Sequence, residues 1–114
     1  MNKIFKVLGV VFAALFIWAA VVQHNDPDST RWYIIYGMAA FASLLFASEN
    51  LRFMWAVILF LFYAGFTIYS WPEKFEGVTI GEGDIMNIER GREALGMAIT
   101  ALIMLLYAFR IKKS

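Results

Sequence analysis

Two short stretches hold most of the side chains in this sequence that could carry chemistry. The first is Gln23-His24-Asn25-Asp26-Pro27-Asp28, in which His24, Asn25, Asp26 and Asp28 can each take up a proton, a hydrogen bond or a metal ion. The second is Glu89-Arg90-Gly91-Arg92-Glu93, whose two carboxylates are spaced to share one face of a helix. Like charges so placed repel by about a few tenths of a kcal/mol unless a cation intervenes. Arg92, Arg31 or a metal ion could be that cation. His24, Asp26 and Glu93 would supply three ligands for a divalent ion of Ca²⁺, Mg²⁺ or Zn²⁺ type. The same residues also suit a salt-bridged polar cap with Arg31, Arg90 and Arg92, in which Asp26 is the N-cap of a helix beginning at Pro27 and Asn25 satisfies turn backbone groups. Composition favours the cap, because one histidine with hard carboxylates is a thin ligand set for zinc. The candidate ligand or polar site is therefore His24, Asn25, Asp26, Asp28, Glu89, Arg92 and Glu93, with a divalent cation as its conceivable cofactor.

The elements that must position these residues are membrane helices. With 61% hydrophobic and 17% charged residues and a mean hydropathy of +0.66, the chain is too apolar for an ordinary soluble domain. Its 114 residues suffice for about four spans of roughly 20 residues and no separate soluble domain. Residues 4–22 form an apolar run interrupted only by Lys6. It is longer than the apolar region of a signal peptide, and Ala20-Val21-Val22 is a poor cleavage site, so a retained first helix is expected. The second span is predicted at 28–48 and the third at 53–71, where Pro72 stops it; the connection between them is short enough to demand an antiparallel hairpin. The fourth, at 88–110, is preceded by a proline-free polar stretch and is expected to extend above the membrane. Between them the Gly-rich segment 73–83 offers a turn or a brief hairpin. The predicted fold is all-α: a four-helix transmembrane bundle forming one integral membrane domain over 1–114.

The net charge of +1 hides a division. Lys3, Lys6, Arg52, Arg110, Lys112 and Lys113 fall on the side of the termini, opposed only by Glu49. Every other acidic residue falls on the opposite side, with Arg31, Lys74, Arg90, Arg92 and the lone His24. The excess of Lys and Arg predicts that both termini are cytoplasmic and that the two polar motifs lie outside. Trp18, Trp32 and Trp71 would then mark the outer interface and Trp55 the inner one. No basic cluster longer than Lys112-Lys113 is present, so nothing suggests nucleic acid. The absence of cysteine excludes disulfides, thiolate metal sites and Cys nucleophiles, and a single histidine cannot ligate a haem from two sides.

Mid-span positions carry only apolar residues, a few Tyr and the hydroxyls of Ser43, Thr67 and Thr100, none ionisable near neutral pH. Pumps and ion-coupled transporters place ionisable groups there, so transport would need an oligomeric pore. Small residues on helix two (Gly37, Ala40, Ser43, Ala47) and helix four (Gly91, Ala94, Ala98, Ala101) read as seams for packing within the chain, or less simply for a homo-oligomer.

The junction 23–28, the Trp32 and Tyr36-Gly37 opening of helix two, and the Glu89-Arg90-Gly91-Arg92-Glu93 opening of helix four with Gly96 together resemble the transmembrane protein 220 family of small four-helix membrane proteins. The resemblance spans essentially the whole chain and implies a four-span integral membrane protein, without an activity attached to it. The function expected is that of a non-enzymatic binding, scaffold or accessory subunit with an acidic and histidine-bearing polar cap on the outer face. Its partners would be the lipid bilayer and a protein or a second copy. The alternative is a metal-dependent hydrolase or isomerase acting on a lipid at the outer interface, with Glu89 as general base.

Overall fold

A computed structural model describes residues 3–24, 27–72 and 85–113. They form four α-helices, α1 (Lys3–Val21), α2 (Ser29–Ala47), α3 (Phe53–Ser70) and α4 (Ile85–Lys113). The all-α class expected from composition is the class found, and the polar stretch ahead of Ala94 is helical from Ile85 onward. Asn25, Asp26 and the Gly-rich connection, with the turn or hairpin expected there, lie outside the described residues. The chain divides into two compact units at Arg52 and Phe53. In one, α1 packs on α2; in the other, α3 packs on α4.

The first unit is an antiparallel helical hairpin, because the start of α1 lies beside the end of α2. Lys6 Nζ stands 3.1 Å from Glu49 Oε2. One turn further on, a Cβ placed on Gly9 would lie 3.0 Å from Ala47 Cβ, 3.0 Å from the Ser43 carbonyl oxygen and 3.2 Å from the Ala47 nitrogen. The missing side chain thus lets two backbones approach closely, which is how helices gain van der Waals contact where lipid removes the hydrophobic drive to associate. Gly9, Ala13 and Phe16 are the buried positions of α1. Those of α2 are Trp32, Ile35, Ala39, Ala40, Ala42, Ser43 and Phe46, a stripe at alternating three- and four-residue spacing. Toward the other end of the hairpin Phe16 stacks on Tyr36 at 6.5 Å and Tyr36 on Trp32 at 6.0 Å. Trp32, expected in an interfacial belt, is instead a packing residue only 2% exposed, and the Arg31 guanidinium covers its ring at 5.1 Å. Trp18, Trp55 and Trp71 are exposed.

Helix α2 ends in a Schellman motif made without glycine. The Asn50 N–H donates to the Leu45 carbonyl at 2.7 Å and the Glu49 N–H to that of Phe46 at 3.1 Å. Glu49 therefore occupies the left-handed position, with φ 63, where glycine or asparagine is usual. The structure gives a reason: from there its carboxylate reaches α1. The hydrogen bond and charge of Lys6 hold the Glu49 carboxyl below the usual carboxylate range. A carboxyl more acidic in the folded state stabilises the hairpin at neutral pH. That contribution fades as the pH falls below its ordinary value of 4.5 and through the lower folded value. Melting curves in detergent from about pH 6 to about pH 3 should therefore fall more steeply for the wild-type chain than for Glu49→Gln. Equal slopes would show that the pair does not matter. Both side chains are more than two-fifths exposed (46% and 43%), so salt should shrink the difference.

In the second unit Lys112 Nζ sits 5.9 Å from the centre of the Phe53 ring, setting the end of α4 beside the start of α3. The buried positions of α3 are Ala56, Tyr63 and Ser70, seven residues apart. Those of α4 run through Ile88, Ala94, Met97, Thr100, Ala101, Met104, Tyr107 and Ala108. With 29 residues against 18, α4 is about 16 Å longer than α3 at 1.5 Å rise per residue. Since the pair is aligned at Lys112 and Phe53, the excess projects at the Ile85 end.

Helices α1 and α3 and the segment Met86–Lys112 of α4 are long and apolar enough to cross a membrane; α2, with Arg31, Ser29 and Thr30 in its first turn, is not among these three. Their outward faces are apolar as well: Ile4, Leu15, Met54, Leu61, Ile68 and Leu102 are all more than half exposed. Such surfaces are a liability in water and match hydrocarbon. The chain is a membrane protein.

Candidate functional site

The first polar motif caps a helix, but a different one from that expected. As α1 ends, its hydrogen bonding tightens: the Gln23 N–H donates to Ala20 and the His24 N–H to Val21, at 3.1 and 3.3 Å. The side chains then cover the open carbonyls. Gln23 Nε2 donates to the Ala19 carbonyl at 3.2 Å, and His24 Nδ1 lies 3.3 Å from that of Val21. A carbonyl only accepts, so Nδ1 is the donor in this bond, which does not use Nε2. The negative end of the α1 dipole favours both contacts.

The start of α2 differs from the sequence expectation. Pro27 lies in the preceding turn and not at the first helical position. The N-cap is Asp28, which makes no side-chain capping bond; its carbonyl accepts the Trp32 N–H at 3.3 Å.

The two carboxylates of the second motif do not head the buried face of α4. The buried stripe instead starts at Ile88 and passes through Gly91 and Ala94 to Met97. Glu89, Arg90 and Arg92 are exposed and Glu93 is half-buried. The reason is desolvation: burying an isoleucine and two small residues is favourable, and burying an unpaired carboxylate is costly. Among the described residues no ion pair joins Glu89 to Arg92, one of the three cations that the spacing allowed.

His24 and Asp28 thus belong to the first unit, and Glu89, Arg92 and Glu93 to the second. Among the described residues no three or more His, Asp or Glu side chains gather to hold a metal ion. The proposed set of His24, Asp26 and Glu93 includes one residue, Asp26, that lies outside them.

The three mid-span hydroxyls are engaged by their own helices. Ser43 Oγ donates to the Ala39 carbonyl at 2.9 Å, Thr67 Oγ1 to that of Tyr63 at 2.9 Å and Thr100 Oγ1 to that of Gly96 at 2.8 Å. In this back-bonding a hydroxyl in hydrocarbon uses a carbonyl of its own helix. Thr67→Val and Thr100→Val should each change stability by less than about 0.5 kcal/mol in detergent melts. A larger loss would reveal a bond beyond the helix.

Sequence reading also missed two features. Gly9, which sets the closest approach of α1 to α2, was hidden because helical glycine has no distinctive neighbours. The other is an apolar groove of about 600 Å³ on the first unit, lined by Ile17, Ala20, Val21, His24, Tyr33 and Gly37. Gly37, read as part of a packing seam, is exposed, and a Cβ placed on it would meet nothing within 4 Å.

A family model described as "Transmembrane family 220, helix" matches residues 15–109. No solved structure matches the chain.

Proposed function

Since the chain belongs to transmembrane family 220, whose resemblance carries no activity, we propose from its own geometry that it is a non-catalytic accessory subunit, binding a partner protein at the membrane surface. The observation that carries this reading is the projecting start of α4. Glu89, Arg90 and Arg92 stand exposed on a rigid helix that outruns α3, with no ion pair joining Glu89 to Arg92. Charges presented in this way suit a complementary protein surface, where they set partner choice and orientation.

In this reading α2 crosses the membrane with the other three helices. Both termini then face the cytoplasm, and the outer side receives His24 and Asp28 from the first unit and Glu89 and Glu93 from the second. Arg31 is compatible with that placement, because it sits in the first turn of α2 against Trp32 and its long stem can carry the charge to the interface.

Purification of the full chain from native membranes in mild detergent tests the reading. A stoichiometric protein companion is expected with the wild-type chain, reduced at least about tenfold by Arg90→Ala/Arg92→Ala. A solitary wild-type chain, or a companion indifferent to both arginines, would contradict it.

A further inference from the structure

We propose that the groove between α1 and α2 holds one acyl chain of a phospholipid, with the lipid phosphate at His24 and Tyr33. The groove exists because Ala20 and Gly37 carry little or no side chain where the flanking positions carry Ile17, Val21 and Tyr33. Glycine inside a helix costs about 0.5–1 kcal/mol relative to alanine. Gly37 recovers none of that through close packing within the chain, since a Cβ there would have open space around it. Nor does it adopt a left-handed backbone. What it supplies is room on an exposed apolar surface.

The dimensions select the occupant. From Ile17 to His24 the groove runs about 10 Å along α1, roughly two-thirds of one leaflet of a ~30 Å hydrocarbon core. Close docking of a second helix needs small residues recurring a turn apart. Here the neighbours of Gly37 one turn away on α2 are Tyr33 and Phe41, both large and exposed, at 40% and 63%. They block a helix backbone and leave a slot wide enough for a hydrocarbon chain. The apolar walls give water nothing to bind.

The chemistry changes at one end only. His24 closes the groove where α1 leaves the membrane, with Nδ1 turned to the Val21 carbonyl. That bond does not use Nε2, which is the ring nitrogen left to meet a headgroup. Tyr33, in the second turn of α2, adds a hydroxyl on an amphipathic ring of the kind that favours the headgroup level. An apolar slot ending in two hydrogen-bonding groups complements a chain joined to a phosphodiester. The site involves none of Glu89, Arg90 or Arg92, so it can fail or stand without the protein companion.

Native mass spectrometry of the full chain released from bilayers of dioleoyl phosphatidylglycerol, with and without dioleoylglycerol as a headgroup-free competitor, tests this. The wild-type chain should retain one phospholipid. Gly37→Leu, whose Cβ meets nothing within 4 Å and whose side chain adds bulk to the groove lining, should lower occupancy at least about tenfold while melting no lower than wild type. Gly65→Leu is the control, because Gly65 is equally unencumbered and lies outside the groove; it should leave occupancy unchanged. His24→Ala should keep the chain but lose the preference for phosphatidylglycerol over dioleoylglycerol. A wild-type chain without retained lipid would overturn the proposal. So would equal losses from Gly37→Leu and Gly65→Leu, or cross-links through residue 37 showing a second copy in the slot.

Discussion

Gly9→Leu should lower the stability of the first hairpin by about 3 kcal/mol, the upper part of the range for overpacking a filled interface. The three atoms nearest a side chain at this position are the Ser43 carbonyl oxygen, the Ala47 nitrogen and the Ala47 Cβ, all 3.0–3.2 Å from the Cβ alone. None can rotate away, so α1 and α2 must separate. Separation also pulls Lys6 from Glu49, since their 3.1 Å contact lies one turn away. Gly9→Ala sets a gain of up to about 1 kcal/mol in helix propensity against a displacement of a few tenths of an ångström. Adding Ala47→Gly removes one of the three close contacts, so the double variant should recover stability relative to Gly9→Ala. The built-in comparison is Gly37→Leu, the same change in open space, which should cost less than about 0.5 kcal/mol. Thermal or SDS titrations of the variants in one detergent provide the reading; equal losses at Gly9 and Gly37 would mean that the close approach is not what holds this pair together.

Tyr63→Ala should cost the second hairpin about 2 kcal/mol or more. Tyr63 is 0% exposed and occupies the middle of the three buried positions on α3. In a bilayer the unfolded alternative is lipid and not water, so the loss is chiefly of van der Waals packing around the ring. Phe62 serves as the matched comparison. Its ring meets that of Tyr63 edge-on at 5.2 Å, yet it is 43% exposed, so Phe62→Ala exchanges protein contact for lipid contact and should cost under about 1 kcal/mol. A reversed order would place the core on the other face of α3.

These contrasts mark where sequence stops determining structure. Composition located the helices to within a residue or two in α1, α2 and α3, because a long apolar segment has few alternatives to a helix. The continuation of α4 back to Ile85 was legible from the absence of proline. Rotational phase was harder. Shifting the inward stripe by one residue exchanges Glu89 for Ile88, and a helix with apolar residues all round supplies little amphipathic signal to set it. Gly9 and Gly37 look alike in sequence and sit in opposite environments, since only the partner helix tells a close contact from a vacant slot. His24 presented itself as a ligand, whereas its Nδ1 and the Gln23 amide fall on the last carbonyls of α1. Glu49 concealed a Schellman motif because glycine is the residue expected at its position.

With both termini cytoplasmic and His24 and Asp28 outside, α2 must cross the membrane. The chain has no cysteine, so each introduced thiol is a unique reporter. Thr30→Cys, Asn50→Cys, Glu89→Cys and Lys112→Cys, all at exposed positions, should be made in intact cells and treated with a membrane-impermeant maleimide. Positions 30 and 89 should label directly, and positions 50 and 112 only after the membrane is opened. Labelling of 30 and 50 from the same side would contradict that crossing, because α2 would then lie along the membrane and not through it.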